Sequence, residues 1–154
     1  AAVGVQIAHP DKLVVDIAGE ASVLMTIQEM STAEQYKLPI KIFILNNQYM
    51  GMVRQWQELL HEKNYSESYT AALPDFVKLA EAYGCVGIQA TKPDELDEKI
   101  NEMINTKEPV IFDCRVDPAE NCFPMIPSGK PHNQMLLGPE DEKEEVSDEG
   151  KTLV

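Results

Sequence analysis

Four short runs of apolar residues divide the chain into segments. They cover Leu13–Ile17, Ile40–Leu45, Cys85–Ile88 and Val110–Val116. The first three are almost continuously apolar, which is typical of strands buried on both faces of a parallel sheet. In the fourth run, Asp113 and Arg115 alternate with apolar residues, a pattern that favours a position nearer the edge of the sheet.

Helical patterns separate these runs. Between Ser22 and Lys37 apolar residues recur at helical spacing, with Ser22 as the expected N-cap and Pro39 as the stop. The buried face of this predicted helix consists of Val23, Leu24, Ile27, Met30 and Ala33. The other predicted helices cover Met50–His61, Asp75–Tyr83 and Glu95–Ile104, the last with Leu96, Ile100, Met103 and Ile104 on its buried side.

This order of strands and helices predicts an α/β fold, with a parallel sheet that carries helices on both faces. Residues 1–138 suffice for one domain with its own core. Residues 139–154 are mostly charged, which predicts a flexible acidic tail. The first residues, "AAVGVQIA", resemble the second half of a helix that has no N-cap. We therefore expect the chain to be a piece of a longer protein.

Charge and composition narrow the possible functions. The formal net charge is −13, of which the acidic run at residues 140–151 contributes −5. The remaining −8 argues against general binding to nucleic acid or to anionic membranes. No apolar run is long enough to span a bilayer. The three cysteines lack metal-ligand spacing, so we interpret them as reduced thiols. We therefore expect a cytoplasmic protein, or one of the plastid or mitochondrion in a eukaryote.

Polar residues follow the first two strand-like runs. Glu20 stands between Gly19 and Ala21 just after the first run, and Asn46-Asn47 follows the second. Because parallel strands end at one edge of a sheet, Glu20 and Asn47 should lie close together there. Carboxylate and amide oxygens suit Mg²⁺, which keeps phosphate oxygens in its coordination shell. The free N–H groups where the next helix begins suit a phosphate. The pattern therefore proposes a magnesium–diphosphate site.

A simpler interpretation of the same residues needs no ligand. Glu20 would then be a solvated acid in a turn, and Asn46-Asn47 would be present because asparagine tolerates turn conformations. Spacing alone does not decide between the two interpretations.

A Gly-acid-small triplet followed some 25 residues later by Asn-Asn resembles the thiamine diphosphate motif. The stretches "TIQEMSTA", "LPIKIFILNNQYMGMVRQWQE", "PDFVKLAEAYG" and "FPMIPSGKPHNQML" resemble, beyond that motif, the C-terminal domain of acetohydroxyacid synthase (acetolactate synthase) catalytic subunits. The resemblance covers residues 1–138.

The resemblance implies roles for individual residues. It implies that Mg²⁺ is held by Glu20, Asn47 and the backbone carbonyl of Tyr49. The implied cofactor-binding residues are Gly19, Glu20, Ala21, Ser22, Asn47, Tyr49, Gly51 and Met52. Met52 and Trp56 would line the substrate channel. The chain departs from the family at Glu20, where Asp is usual, and the extra methylene displaces the carboxylate by about 1.5 Å. That difference puts the direct contact of Glu20 with the metal in question.

The implied reaction joins pyruvate to a second 2-keto acid with loss of carbon dioxide, in branched-chain amino acid biosynthesis. In this family FAD binds a separate domain, and an activating glutamate comes from a partner subunit. The implied partners are the other domains of the subunit, further copies in a dimer or tetramer, and a regulatory small subunit. We expect the 154 residues alone to be inactive.

Two other hypotheses remain open at this stage. The chain could be a stand-alone binding or assembly module derived from such an enzyme and lacking catalysis. It could also be a flavodoxin-like nucleotide binder, which would respond to flavin and not to thiamine diphosphate.

Overall fold

The sheet consists of parallel strands, as the sequence predicts. The computed structural model describes residues 1–139. Within them the sheet has four strands in the order β1-β2-β4-β3. The strands are β1 (Val15–Gly19), β2 (Lys41–Asn46), β3 (Val86–Ala90) and β4 (Val110–Arg115). The helices are α1 (Ala2–Ala8), α2 (Glu20–Leu24), α3 (Glu29–Gln35), α4 (Gly51–Leu60), α5 (Phe76–Ala82) and α6 (Leu96–Asn105).

The described chain divides into two compact units. The sheet unit comprises Ala1–Gln48 and Thr70–Pro118, and so contains every strand named above. The second unit comprises Tyr49–Tyr69 and the described residues from Ala119 onwards. It contains α4 and a short 3₁₀ turn at His132–Gln134, and the rest of its 119–139 segment is mostly irregular. The predicted acidic tail lies outside the described residues, apart from Pro139.

The core of the sheet unit lies on both faces of the sheet. Successive residues of β4 enter different clusters: Ile111 packs with Phe76 of α5, whereas Phe112 packs with Met103 of α6. Side chains alternate between the faces of a strand, so these two clusters cover opposite faces. The prediction of helices on both faces is confirmed.

The predicted helix from Ser22 to Lys37 is in fact two helices. Main-chain bonds to the third residue back replace the α-helical pattern between α2 and α3, for example from Thr26 N–H to the Val23 carbonyl at 3.2 Å. Val23, Met30 and Ala33 are nevertheless buried together, in the cluster that also contains Ile40 and Phe76. Ser22 is not the N-cap, which is Gly19.

Three expectations about burial are wrong. β4 lies inside the sheet rather than near its edge, and hydrogen bonds from Asn46 of β2 and Gln89 of β3 satisfy its buried Asp113. β1 is an edge strand of the described sheet, so Val15 and Ile17 are exposed, the latter by 60%. Ile104 is 40% exposed, because α6 buries Leu96, Ile100 and Met103 instead.

The start of β2 is tied to the end of α6 by a buried lysine. The Lys41 ammonium donates hydrogen bonds of 2.8 Å to the carbonyls of Thr106 and Glu108. These carbonyls lie at and beyond the C-terminal end of the helix, where a cation is favourable. Burial lowers the pKa of Lys41 from 10.5 to about 8, although the Glu108 charge acts in the opposite direction.

This pKa predicts how stability depends on pH. Between pH 8 and 10.5 the folded state has lost the Lys41 proton while the unfolded chain keeps it, so the free energy of unfolding rises with pH. We expect a rise on the order of 1 kcal/mol by pH 9 relative to Lys41→Met, measured by urea unfolding. Lys99→Met is the control, because Glu102 raises the pKa of Lys99 and moves its titration above this range. Parallel pH profiles of the wild type and Lys41→Met would contradict the assignment.

Candidate cofactor and metal site

The two polar turns predicted to meet do lie at the same end of the sheet. β1 pairs with β2 in parallel, with Gly19 opposite Leu45, so Glu20 and Asn46 follow at matching positions. Asn47 comes next, after the end of β2. Thr70 contacts both turns: its hydroxyl donates to Glu20 Oε1 at 3.3 Å, and its N–H donates to the Gln48 carbonyl at 2.9 Å.

Glu20 is buried, with only 1% of its surface exposed. Among residues 1–139 no lysine, arginine or histidine forms an ion pair with it, and the Thr70 hydroxyl is its hydrogen-bond partner. A buried carboxylate without a counter-charge is unfavourable, so the site suits a cation. The simpler interpretation of Glu20 as a solvated turn acid is therefore wrong. The donor set of hard oxygens fits Mg²⁺.

The first turn is held by its own hydroxyl. Ser22 Oγ accepts a hydrogen bond from Gly19 N–H at 3.0 Å and donates to the Gly19 carbonyl at 2.9 Å. Gly19, Ala21 and Ser22 thus stand where the sequence places them, at the start of α2. This helix has only five residues, so its dipole contributes less than the long predicted helix would. Any anion binding here would rest mainly on individual N–H groups.

The second turn is held by Asn46, whose role the sequence analysis attributed only to turn tolerance. Its Oδ1 accepts from Gln48 N–H at 3.2 Å, and its Nδ2 donates to Asp113 Oδ1 at 2.8 Å. Gln48 has φ of 63°, in the left-handed region. Asn46 therefore stabilises the turn. The predicted metal ligand is its neighbour, Asn47.

The other predicted site residues lie in the second unit. Tyr49 packs on Tyr69, with ring centroids 5.0 Å apart. Gly51 is the first residue of α4, and Met52 is 54% exposed on the same helix. Trp56 is half-buried and lines, with Met52, a cavity of about 260 Å³. The lining residues are Met52, Val53, Trp56, Gln57 and His61.

The opposite side of α4 is fixed to the segment after Ala119. Arg54 donates to the carbonyls of Ala119 and Glu120 at 2.9 and 3.0 Å, and it pairs with Glu58. Gln55 exchanges two hydrogen bonds with the Cys122 backbone. Sequence reasoning did not single out these anchors. The sequence offered one signal for them: Arg54 and Gln55 are adjacent polar residues in a helix that is otherwise amphipathic.

Residues 1–139 contain neither a membrane-spanning helix nor a ready-made cluster of metal-binding side chains. Their helices are all too short or too polar to cross a membrane. They also contain no cluster of three or more His, Cys, Asp or Glu side chains placed to bind a metal. A cation held here would therefore depend on one carboxylate together with amide and carbonyl oxygens.

Comparison with known proteins defines the class. Residues 1–114 match the family model described as the thiamine pyrophosphate enzyme C-terminal TPP binding domain. The chain belongs to this family. A solved structure, Rhodococcus jostii RHA1 thiamine diphosphate-dependent 4-hydroxybenzoylformate decarboxylase, is similar at 30% identity with a TM-score of 0.69, over 75% of this chain and 22% of that one. The flavodoxin-like alternative is not supported.

Within the class, the chain is similar to acetolactate synthases. It is 46% identical to the large subunit of Haemophilus influenzae over 93% of this chain and 25% of the relative. It is 49% identical to the large subunit of Cyanidium caldarium, over 88% of this chain and 23% of that relative. The mitochondrial catalytic subunit of Saccharomyces cerevisiae is 44% identical, over 95% of this chain and 21% of that relative. The chain thus spans about a quarter of the length of these relatives.

Proposed function

We propose that this chain is the cofactor-binding part of an acetolactate synthase catalytic subunit. The observation that carries the proposal is the identity of 43–49% to acetolactate synthases over about nine tenths of the chain. The activity joins pyruvate to a second 2-keto acid, pyruvate or 2-oxobutyrate, with loss of carbon dioxide. It is a step in branched-chain amino acid biosynthesis. The name of the yeast relative supports a mitochondrial location as one alternative to the cytoplasm.

In this proposal, thiamine diphosphate and Mg²⁺ bind at the carboxyl ends of β1 and β2. Glu20, Asn47 and the Tyr49 carbonyl hold the cation, and the backbone of Gly19, Ala21 and Ser22 holds the diphosphate. The burial of Glu20 without a cationic partner in residues 1–139 supports the metal assignment. Bound thiamine diphosphate supplies the electron sink for decarboxylation, while the protein anchors and orients it.

In the same proposal, Gly51 and Met52 bind the cofactor, and Met52 with Trp56 lines the channel by which 2-keto acids enter. Exposure of Met52 and the apolar cavity at Trp56 support this role. FAD, other domains, further copies of the subunit and a regulatory small subunit are proposed partners of the complete enzyme.

The activity test compares the 154 residues with the polypeptide from the complete reading frame. With pyruvate, thiamine diphosphate and Mg²⁺, we expect the complete polypeptide to form acetolactate and the 154 residues alone to form none. Release of carbon dioxide without acetolactate would point instead to a simple decarboxylase. No turnover by the complete polypeptide, with cofactor bound, would support the non-catalytic module.

Gly19 offers a test of the diphosphate position. Its φ of −84° is open to any residue, and an added Cβ would meet only Ser22 Oγ at 3.6 Å. Gly19→Ala should therefore change the free energy of unfolding by no more than about 0.5 kcal/mol. A methyl group facing the diphosphate should still weaken thiamine diphosphate binding about tenfold, measured by calorimetry. Gly4→Ala in α1 is the control, because nothing lies within 4 Å of its added Cβ. Equal affinity of both variants would contradict the placement.

A further inference from the structure

A chain of hydrogen bonds connects the two turns of the candidate site. Thr70 is the link between them, since its side chain reaches Glu20 and its main chain reaches Gln48. Both contacts lie within the sheet unit, although Thr70 and Glu20 are 50 residues apart in sequence. Thr70 therefore joins the turn after β1 to the turn after β2.

The turn at Gln48 is held from its other side by Asn46. A left-handed φ of 63° is unfavourable for a residue with a side chain, so it persists only where neighbours enforce it. Here the Gln48 N–H is held by the Asn46 side chain and the Gln48 carbonyl by Thr70 N–H. Asn47 lies between these two anchored residues, so its backbone is held on both sides.

Asp113 fixes the Asn46 side chain in turn. It is fully buried in the middle of β4, and its Oδ1 accepts from Asn46 Nδ2 at 2.8 Å. Its Oδ2 accepts from Gln89 Nε2 at 2.9 Å and lies 3.3 Å from Arg115 Nε. With both oxygens engaged, this carboxylate cannot rotate without breaking contacts to other groups. It forces the Asn46 amide to present Oδ1 to the Gln48 N–H.

We propose that Thr70 and Asp113 are positioning residues that set the geometry of the cation between Glu20 and Asn47. This inference rests on the proposed function, since it assumes a metal at that place. Thr70 orients the Glu20 carboxylate by binding one of its oxygens, and Asp113 orients Asn47 through Asn46. Mg²⁺ demands near-ideal octahedral geometry, so small errors in either ligand are costly. Outer partners of metal ligands commonly change metal affinity by about 10–100-fold.

The Thr70 hydroxyl also limits the freedom of the Glu20 side chain. A glutamate side chain has one rotatable bond more than an aspartate side chain. A hydrogen bond from Thr70 Oγ1 removes that freedom by fixing one carboxylate oxygen. The other oxygen then points in a defined direction for a cation.

The test uses Mn²⁺ as a spectroscopic substitute for Mg²⁺, bound with thiamine diphosphate to the polypeptide from the complete reading frame. Electron paramagnetic resonance measures free and bound Mn²⁺ without any turnover. Thr70→Val keeps the shape and the main-chain bond to Gln48 but loses the hydroxyl, and should weaken Mn²⁺ binding about tenfold. Thr70→Ser keeps the hydroxyl and should bind within about twofold of the wild type.

A second pair of variants tests the other end of the chain of bonds. Asp113→Asn keeps the shape but turns one acceptor oxygen into a donor, so it cannot accept from both Asn46 and Gln89. We expect Mn²⁺ affinity to fall about tenfold. Gln89→Ala removes the neighbour on Oδ2 and leaves the Asn46 bond in place, so its Mn²⁺ affinity should stay within about twofold.

The outcomes separate this inference from the proposed function. If the wild type binds no Mn²⁺ with thiamine diphosphate, the proposed function fails and the inference with it. If the wild type binds Mn²⁺ and Thr70→Val binds it equally well, the positioning role of Thr70 is overturned while the proposed function stands. Thermal unfolding without metal is recorded for all four variants. A merely structural role would lower the melting temperature while leaving Mn²⁺ affinity of the folded protein unchanged.

Discussion

Replacing Glu20 with Gln is expected to weaken Mg²⁺-dependent binding of thiamine diphosphate at least about 100-fold. Glu20 is the one carboxylate among the proposed ligands, and its loss removes a direct charge rather than an outer partner, for which about 10–100-fold is common. Isothermal titration of thiamine diphosphate, with and without Mg²⁺, measures the effect.

The same substitution should not destabilise the metal-free protein. Glutamine has the shape of glutamate and can still accept a hydrogen bond from Thr70, but it carries no charge to bury. We therefore expect a melting temperature without Mg²⁺ at or above that of the wild type. With Mg²⁺ and thiamine diphosphate the order should reverse, because only the wild type gains stability from binding.

Two matched variants sharpen this prediction. Glu20→Asp keeps the charge and shortens the side chain by one methylene, so it should bind within about tenfold of the wild type. Glu29→Gln removes an exposed acid at the start of α3 and should change nothing. Tight Mg²⁺-dependent binding by Glu20→Gln would exclude Glu20 as a ligand.

Replacing Phe112 with Ala is expected to lower the free energy of unfolding by about 3–5 kcal/mol. Phe112 is fully buried on the inner strand β4, and its ring packs edge-to-face on Phe43, with centroids 4.7 Å apart. Truncation removes this contact and leaves a cavity between the sheet and α6. Most domains have a total stability of only 5–15 kcal/mol, so the loss is large.

Urea unfolding followed by circular dichroism checks this second prediction. Tyr36→Ala is the control, because Tyr36 is also aromatic and in the sheet unit but is 64% exposed. Its cost should stay below about 0.5 kcal/mol. Similar losses for the two variants would mean that Phe112 does not form the core on this face.

The strands and the turns at their ends could be predicted because their signals are local. Apolar runs gave β1 to β4 within a few residues, and the acid and amide after the first two strands follow directly in sequence. The class of cofactor could then be inferred from resemblance. The break between α2 and α3 was not predicted, because Val23 before the break and Met30 and Ala33 after it are buried in the same cluster, so their spacing resembles that of one continuous helix.

Other features depend on contacts between distant residues. Asp113 looked like an edge residue because a charge in a strand usually faces water. Its partners Asn46 and Gln89 lie on the two neighbouring strands, and Asn46 is 67 residues away in sequence. The sequence around Thr70 likewise gives no sign of its role, because that role depends on a hydrogen bond to Glu20, 50 residues away. Strand order decides these contacts, and apolar pattern does not encode strand order.

The most direct measurement is the position of the metal in crystals of the complete polypeptide grown with thiamine diphosphate and Mn²⁺. An anomalous difference map locates Mn²⁺ independently of any assumption about ligands. We expect one peak at the ends of β1 and β2, about 2.1 Å from a Glu20 carboxylate oxygen and from the Asn47 amide oxygen. A peak bound to the diphosphate but out of reach of Glu20 and Asn47 would contradict the account.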